Sequence, residues 1–150
     1  MENHLAQLLF AALVSLINFA LHAIMTGLIV VATRHIASIT DELSVFIRVA
    51  ALLIVTTSVL ACTHIAEISV WAMFYGAAGV TVEKVTAFEF AFENYTALGY
   101  GDAVPQTGFR LLGPITALNG LLLIGWSVAI IFEVLRMAEV HVGRRGMPER

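Results

Sequence analysis

The sequence has 150 residues, of which 59% are hydrophobic and 13% charged, where an ordinary soluble domain is about 25% charged. With a mean hydropathy of +0.90, a chain of this length cannot hide its apolar surface in one water-soluble core, so a membrane protein is expected. The net charge of −3 and the lack of any basic face exclude a nucleic-acid partner, and the single cysteine, Cys62, excludes an intrachain disulfide and a cysteine-based metal site.

Nothing between Glu2 and Arg34 is charged, and the run from Asn3 to Thr33 exceeds the roughly 20 residues that cross a bilayer. It is too long for a signal-peptide core, and Met1 to His4 offers no positive flank, so a retained first span is expected. Ser15, Asn18, His22 and Thr26 recur along it at helical spacing, forming a polar stripe that must face other helices rather than lipid. This helix is expected to pack against the second.

The second span follows Arg48 and continues through Trp71 to about Tyr75, interrupted only by Glu67. His64 and Glu67, three residues apart, share a face of that helix. Ionisable groups at membrane depth are functional candidates and should face protein. Interhelix hydrogen bonds to the first helix or the loop helix, or proton sensing by the histidine, are the roles expected of them. A metal site is the remaining reading, for which one His and one Glu make only half a ligand set.

Gly76 to Gly108 is too polar to span and too apolar for a surface loop, with Phe88, Phe90, Phe92, Tyr95 and Tyr100 inside it. Thr81 as N-cap with Glu83 in the first turn predicts a helix of about 12 to 15 residues over 82–96, ended by the glycines of Leu98-Gly99-Tyr100-Gly101-Asp102. A short helix followed by a glycine-rich extended run is the pattern of a re-entrant loop, because irregular backbone at membrane depth survives only when buried or lining water. The third span lies between Arg110 and Glu133, with Pro114 suited to its first turn. No regular arginine series marks a voltage sensor.

Arg34, Arg48, Arg136, Arg144, Arg145 and Arg150 lie on one side of these spans and only Lys84 and Arg110 on the other. The positive-inside rule therefore places the first connection and the C-terminus in the cytoplasm, and the N-terminus and the glycine loop outside a multi-pass cell-membrane protein.

Thr96-Ala97-Leu98-Gly99-Tyr100-Gly101-Asp102, with an aromatic helix before it, Pro105 shortly after and then an apolar span, resembles the selectivity-filter signature of the potassium channel pore-domain family, whose commonest form is Thr-Thr-Val-Gly-Tyr-Gly-Asp. The resemblance covers about residues 69–135. It implies an all-α membrane protein of three transmembrane helices plus a re-entrant pore helix and filter loop, assembled as a homotetramer around one pore. Residues 1–44 would be an additional N-terminal helix and cytoplasmic loop, 45–138 the pore domain, and 139–150 a short cytoplasmic tail. Backbone carbonyls can stack along an axis only if successive residues alternate through left-handed conformations, which glycine permits. The resemblance assigns K+ sites to the carbonyls of Ala97, Leu98, Gly99 and Tyr100, with Gly101 completing the filter. The permeant ion is the only ligand expected, with no cofactor.

Two departures stand out. Ala97 occupies the place of a threonine whose hydroxyl serves the innermost ion, which should weaken that site and barium block. Leu98 in place of valine should face the pore helix and change only packing. Glu93, nine residues before Asp102, implies by the same resemblance a carboxyl pair behind the filter sharing one proton, with Thr96 as further support. On the third span, Asn119 is expected near the water-filled cavity and Gly120 as a close-packing or bending position. Competing readings are a non-conducting or weakly selective channel-like subunit, kept open by Ala97, and an intramembrane aspartyl protease. The protease needs a second aspartate beside Asp102, and the only other one, Asp41, lies at the opposite membrane side.

Overall fold

The computed structural model describes residues 2–40, 44–80, 85–99 and 104–145. Thr81, Glu83, Tyr100, Gly101 and Asp102 fall outside them, and so do the expected first N-cap and the far half of the glycine loop. Among the described residues every regular element is helical: α1 Glu2–Ile39, α2 Val45–Ala77, α3 Ala87–Tyr95 and α4 Leu112–Arg145, with one 3-10 turn, Thr107–Phe109. Stretches long and apolar enough to cross a membrane lie at Leu5–Ile36, Val45–Ala77 and Leu112–Ala138, as the uncharged runs predict.

Local chemistry sets the ends of these helices. Ser44 caps α2, its hydroxyl accepting the Ile47 N–H at 3.5 Å. The far end of α2 closes on Gly79 at φ +69, with Val80 N–H donating to Tyr75 O at 3.0 Å and Gly79 N–H to Gly76 O at 3.2 Å. This double bond pattern needs a left-handed residue, which glycine supplies without a Cβ penalty. Pro114 sits in the first turn of α4, where its missing N–H leaves no bond unmade.

The loop helix is shorter than predicted and starts later. Val85 and Thr86 are not helical, and α3 is nine residues long with Thr86 as its N-cap. The Thr86 side chain accepts the Glu89 N–H at 3.2 Å while the Glu89 carboxylate accepts the Thr86 N–H at 2.7 Å, a reciprocal capping box.

The apolar interior falls into two clusters. One, holding Ala11, Ile68, Trp71, Phe90, Tyr95 and Leu123, gathers α1, α2, α3 and α4. The other, with Ile29, Leu52, Leu60, Ile130 and Val134, joins α1, α2 and α4 at their opposite ends. From this order α1 and α4 run one way and α2 the other, with α3 packed against α2 and α4 at the level of the first half of α1. Between the clusters, at the same level on all three long helices, lies a polar layer of His22, His64, Glu67 and Ser127. Helix α1 packs on α4 as well as on the expected α2: Asn18 Nδ2 donates both to Glu67 O and to Asn119 Oδ1, at 3.2 Å each.

Candidate functional site

The glycine loop grows directly from the last turn of α3. Aromatic packing fixes that helix against α2, the rings of Tyr75 and Phe90 lying 5.2 Å apart, while the Tyr75 hydroxyl is 2.6 Å from Thr116 Oγ1 on α4. Beyond Thr96 the backbone turns left-handed at Ala97, φ +54, and again at Gly99, φ +101. Leu98 N–H reaches back to Glu93 O at 3.0 Å and Ala97 N–H to Asn94 O at 2.9 Å. The amides at the start of the loop are thus satisfied by the helix, as at the end of α2, but with an alanine in the position glycine usually takes. The Thr96 hydroxyl bonds back to Phe92 O at 2.9 Å.

Leu98 is 78% exposed, so its side chain does not lie on the pore helix of its own chain. Glu93 Oε2 is buried without a hydrogen-bond partner among the described residues, and Asp102, expected to share its proton, lies outside them. A cavity of about 210 Å³ opens beside the loop, between Glu93, Ala97 and Gly99 on one side and Gly113, Pro114 and Ala117 on the other.

The remaining expected residues fall away from this loop. Asn119, expected near a water-filled cavity, is buried to 2% exposure, and its Oδ1 accepts from Trp71 Nε1 at 2.9 Å as well as from Asn18. Its amide oxygen is held inside the chain by α1 and α2, while its Nδ2 is buried with no hydrogen-bond partner among the described residues. Gly120 packs against the end of the pore helix: a Cβ there would stand 2.0 Å from Tyr95 O. That contact makes Gly120 a close-approach residue.

His64 and Glu67 belong to the polar layer, which is larger than the sequence suggested. Glu67 is fully buried. Its Oε1 lies 2.9 Å from His22 Nδ1 and its Oε2 3.0 Å from His64 Nδ1, and the Tyr95 hydroxyl donates to Oε2. Tyr95 Oη is also 2.8 Å from His64 Nδ1. On the far side of both rings, Ser127 Oγ lies 2.9 Å from His64 Nε2 and 3.5 Å from His22 Nε2. Helices α1, α2, α3 and α4 each contribute a group. Of the predicted stripe, Asn18 and His22 reach other helices. Ser15 and Thr26 instead bond to the carbonyls of Ala11 and His22 on their own helix, at 3.0 and 2.8 Å. Sequence reasoning missed Tyr95 and Ser127 as members. The signal for Ser127 is the one that marked Asn18 and His22, an isolated polar side chain within an apolar span.

A family model described as ion channel matches residues 49–137, running from the first turns of α2 through the pore helix and glycine loop into α4. No solved structure matches the chain. The match takes in more than half of the sequence and leaves out the whole of α1, so the chain belongs to the ion channel family built from two membrane helices around a re-entrant pore loop, with α1 as an additional N-terminal helix.

Proposed function

We propose that the chain is the subunit of a homotetrameric, potassium-selective channel whose ion sites are the backbone carbonyls of Ala97, Leu98, Gly99 and Tyr100. The observation that carries this reading is the alternation of left-handed backbone at Ala97 and Gly99, placed at the end of a short helix braced by buried aromatics. With the N–H groups of Ala97 and Leu98 turned back onto the helix, their carbonyls are the groups left to face a permeant ion. A cation also gains from the negative end of the α3 dipole.

One chain supplies one loop, and four loops complete a ring of carbonyls. Leu98 at 78% exposure, the exposed pair Phe88 and Phe92 with rings 6.1 Å apart, and the open cavity beside the loop are surfaces that neighbouring subunits would cover. The pore unit then comprises 45–138, with α1 outside it, and the positive-inside count orients the loop outward. Ala97 removes a ring of four hydroxyls from the innermost site. Selectivity then rests on the outer carbonyl rings, and barium, which needs the inner site, blocks weakly.

Purified protein in potassium-loaded vesicles tests the reading through flux driven by potassium or by sodium gradients, with and without barium. Potassium flux well above sodium flux, with only weak barium block, is expected. Equal fluxes, or none from correctly assembled protein, would contradict it.

A further inference from the structure

The polar layer carries chemistry that a pore does not require. A ring nitrogen of His22, one of His64 and a carboxylate oxygen of Glu67 lie within 4.8 Å of one another, and Tyr95 Oη touches both His64 Nδ1 and the carboxylate. We propose that His22, His64, Glu67 and Tyr95 form a binding site for a borderline divalent transition ion, with Zn2+ as its representative, tying α1 to α2 and to the end of the pore helix.

The donor set selects this class of ion. Two imidazole nitrogens and two oxygens suit four-coordinate zinc, whereas calcium and magnesium prefer all-oxygen shells. A tetrahedral ion with bonds of about 2.0–2.1 Å needs ligand atoms about 3.3 Å apart. The His22 and His64 nitrogens stand 2.9 and 3.0 Å from the two Glu67 oxygens, and the ligand atoms of the three residues lie within 4.8 Å of one another, so small side-chain shifts, including a withdrawal of Tyr95 from the carboxylate, would bring the donors to that spacing.

Ser127 supplies the second argument. A hydroxyl has one proton to give and two lone pairs to receive. If both imidazoles carry their proton on Nδ1, toward Glu67, two Nε2 lone pairs compete for the single Ser127 proton, and one of them stays unpaired in a buried place. If both carry it on Nε2, Ser127 accepts both. Two Nδ1 lone pairs and a carboxylate then converge with only the Tyr95 hydroxyl proton to share among them, a set that a bound cation would complete. Metal-bound histidines characteristically donate their other N–H to an oxygen in this way. The His64 side chain, 19% exposed where His22 and Glu67 are fully covered, gives the ion its way in. An imidazolium, or one imidazole protonated on Nδ1 and the other on Nε2, would also close the hydrogen-bond count, and the experiment separates these metal-free states from a bound ion.

Protein purified through a tag without histidine is stripped with chelator and titrated with zinc against a chromophoric competitor. Cobalt substitution and thermal unfolding are followed in parallel. One zinc per chain at micromolar free zinc, visible bands of tetrahedral cobalt and an unfolding midpoint that rises with zinc are expected. His22→Gln and His64→Gln should weaken binding at least 100-fold, and Ser127→Ala about 10- to 100-fold. Wild-type protein that takes up no stoichiometric zinc, gives octahedral cobalt bands, or has a midpoint that responds to pH and not to zinc overturns the proposal. These wild-type readouts decide the matter even if the histidine variants fail to fold, and they are independent of which ion the pore conducts.

Discussion

Ala97 pays for its position with backbone strain. At φ +54 its Cβ crowds the neighbouring carbonyl, costing roughly 1–2 kcal/mol for a residue other than glycine. Ala97→Gly should therefore raise the unfolding midpoint by the equivalent of about 1 kcal/mol. Ala97→Thr, which restores the commoner filter residue, should lower the midpoint, since a β-branched side chain tolerates this region worst. Thermal unfolding of both variants in one detergent checks the order Gly above Ala above Thr. At Gly120 the obstacle is the Tyr95 carbonyl, 2.0 Å from where a Cβ would stand. Backbone yields less than a flexible side chain, so Gly120→Ala should cost roughly 1–3 kcal/mol and shift the pore helix. A hinge without a packing role would leave the midpoint unchanged. The glycine was visible in the sequence, but its contact depends on how α4 meets α3, which no local pattern encodes.

Among the elements, the pore helix shows most clearly what local sequence could and could not say. Its existence and its aromatic face are legible in the sequence, but Thr81 and Glu83, which have the chemistry of a cap and first turn, point to a start earlier than Ala87. The stricter spacing, Ser or Thr followed three residues later by Glu, occurs at Thr86-Ala87-Phe88-Glu89, and that is where the helix begins. The Thr86 backbone N–H and then its hydroxyl hold the Glu89 carboxyl below the ordinary carboxylate range. A carboxyl lowered on folding adds stability above its unfolded pKa and loses it as the pH falls through the lowered folded value. Glu89→Ala should therefore flatten the acid limb of the midpoint-against-pH curve, while Glu89→Gln, which keeps the box, retains most of the neutral-pH midpoint. Thr86→Ala should cost about 1 kcal/mol at neutral pH. On α1 the stripe was legible as a pattern, but which members cross to other helices was not. Ser and Thr can bond to the carbonyl one turn back, as Ser15 and Thr26 do, whereas Asn18 and His22 are long enough to reach their neighbours.

At the scale of the whole molecule, the three spans follow from one rule, the cost of charge in hydrocarbon, and were readable from the uncharged runs. The exception inside α2, Glu67, is the residue around which α1, α2 and the pore helix meet. Its partners are far apart in sequence, and so the layer it organises could be seen only once the helices were packed. In the proposed channel, ion conduction depends on a further level, the meeting of four copies, for which the exposed Leu98 and the open side of the loop are the proposed contact surfaces. A density map of the purified assembly in lipid nanodiscs, recorded in potassium, tests this most directly. Four subunits around one axis, with residues 97–101 nearest that axis and ion density at their carbonyls, is the result expected. A monomer or dimer, or a four-fold assembly whose glycine loops lie away from the axis, would contradict it.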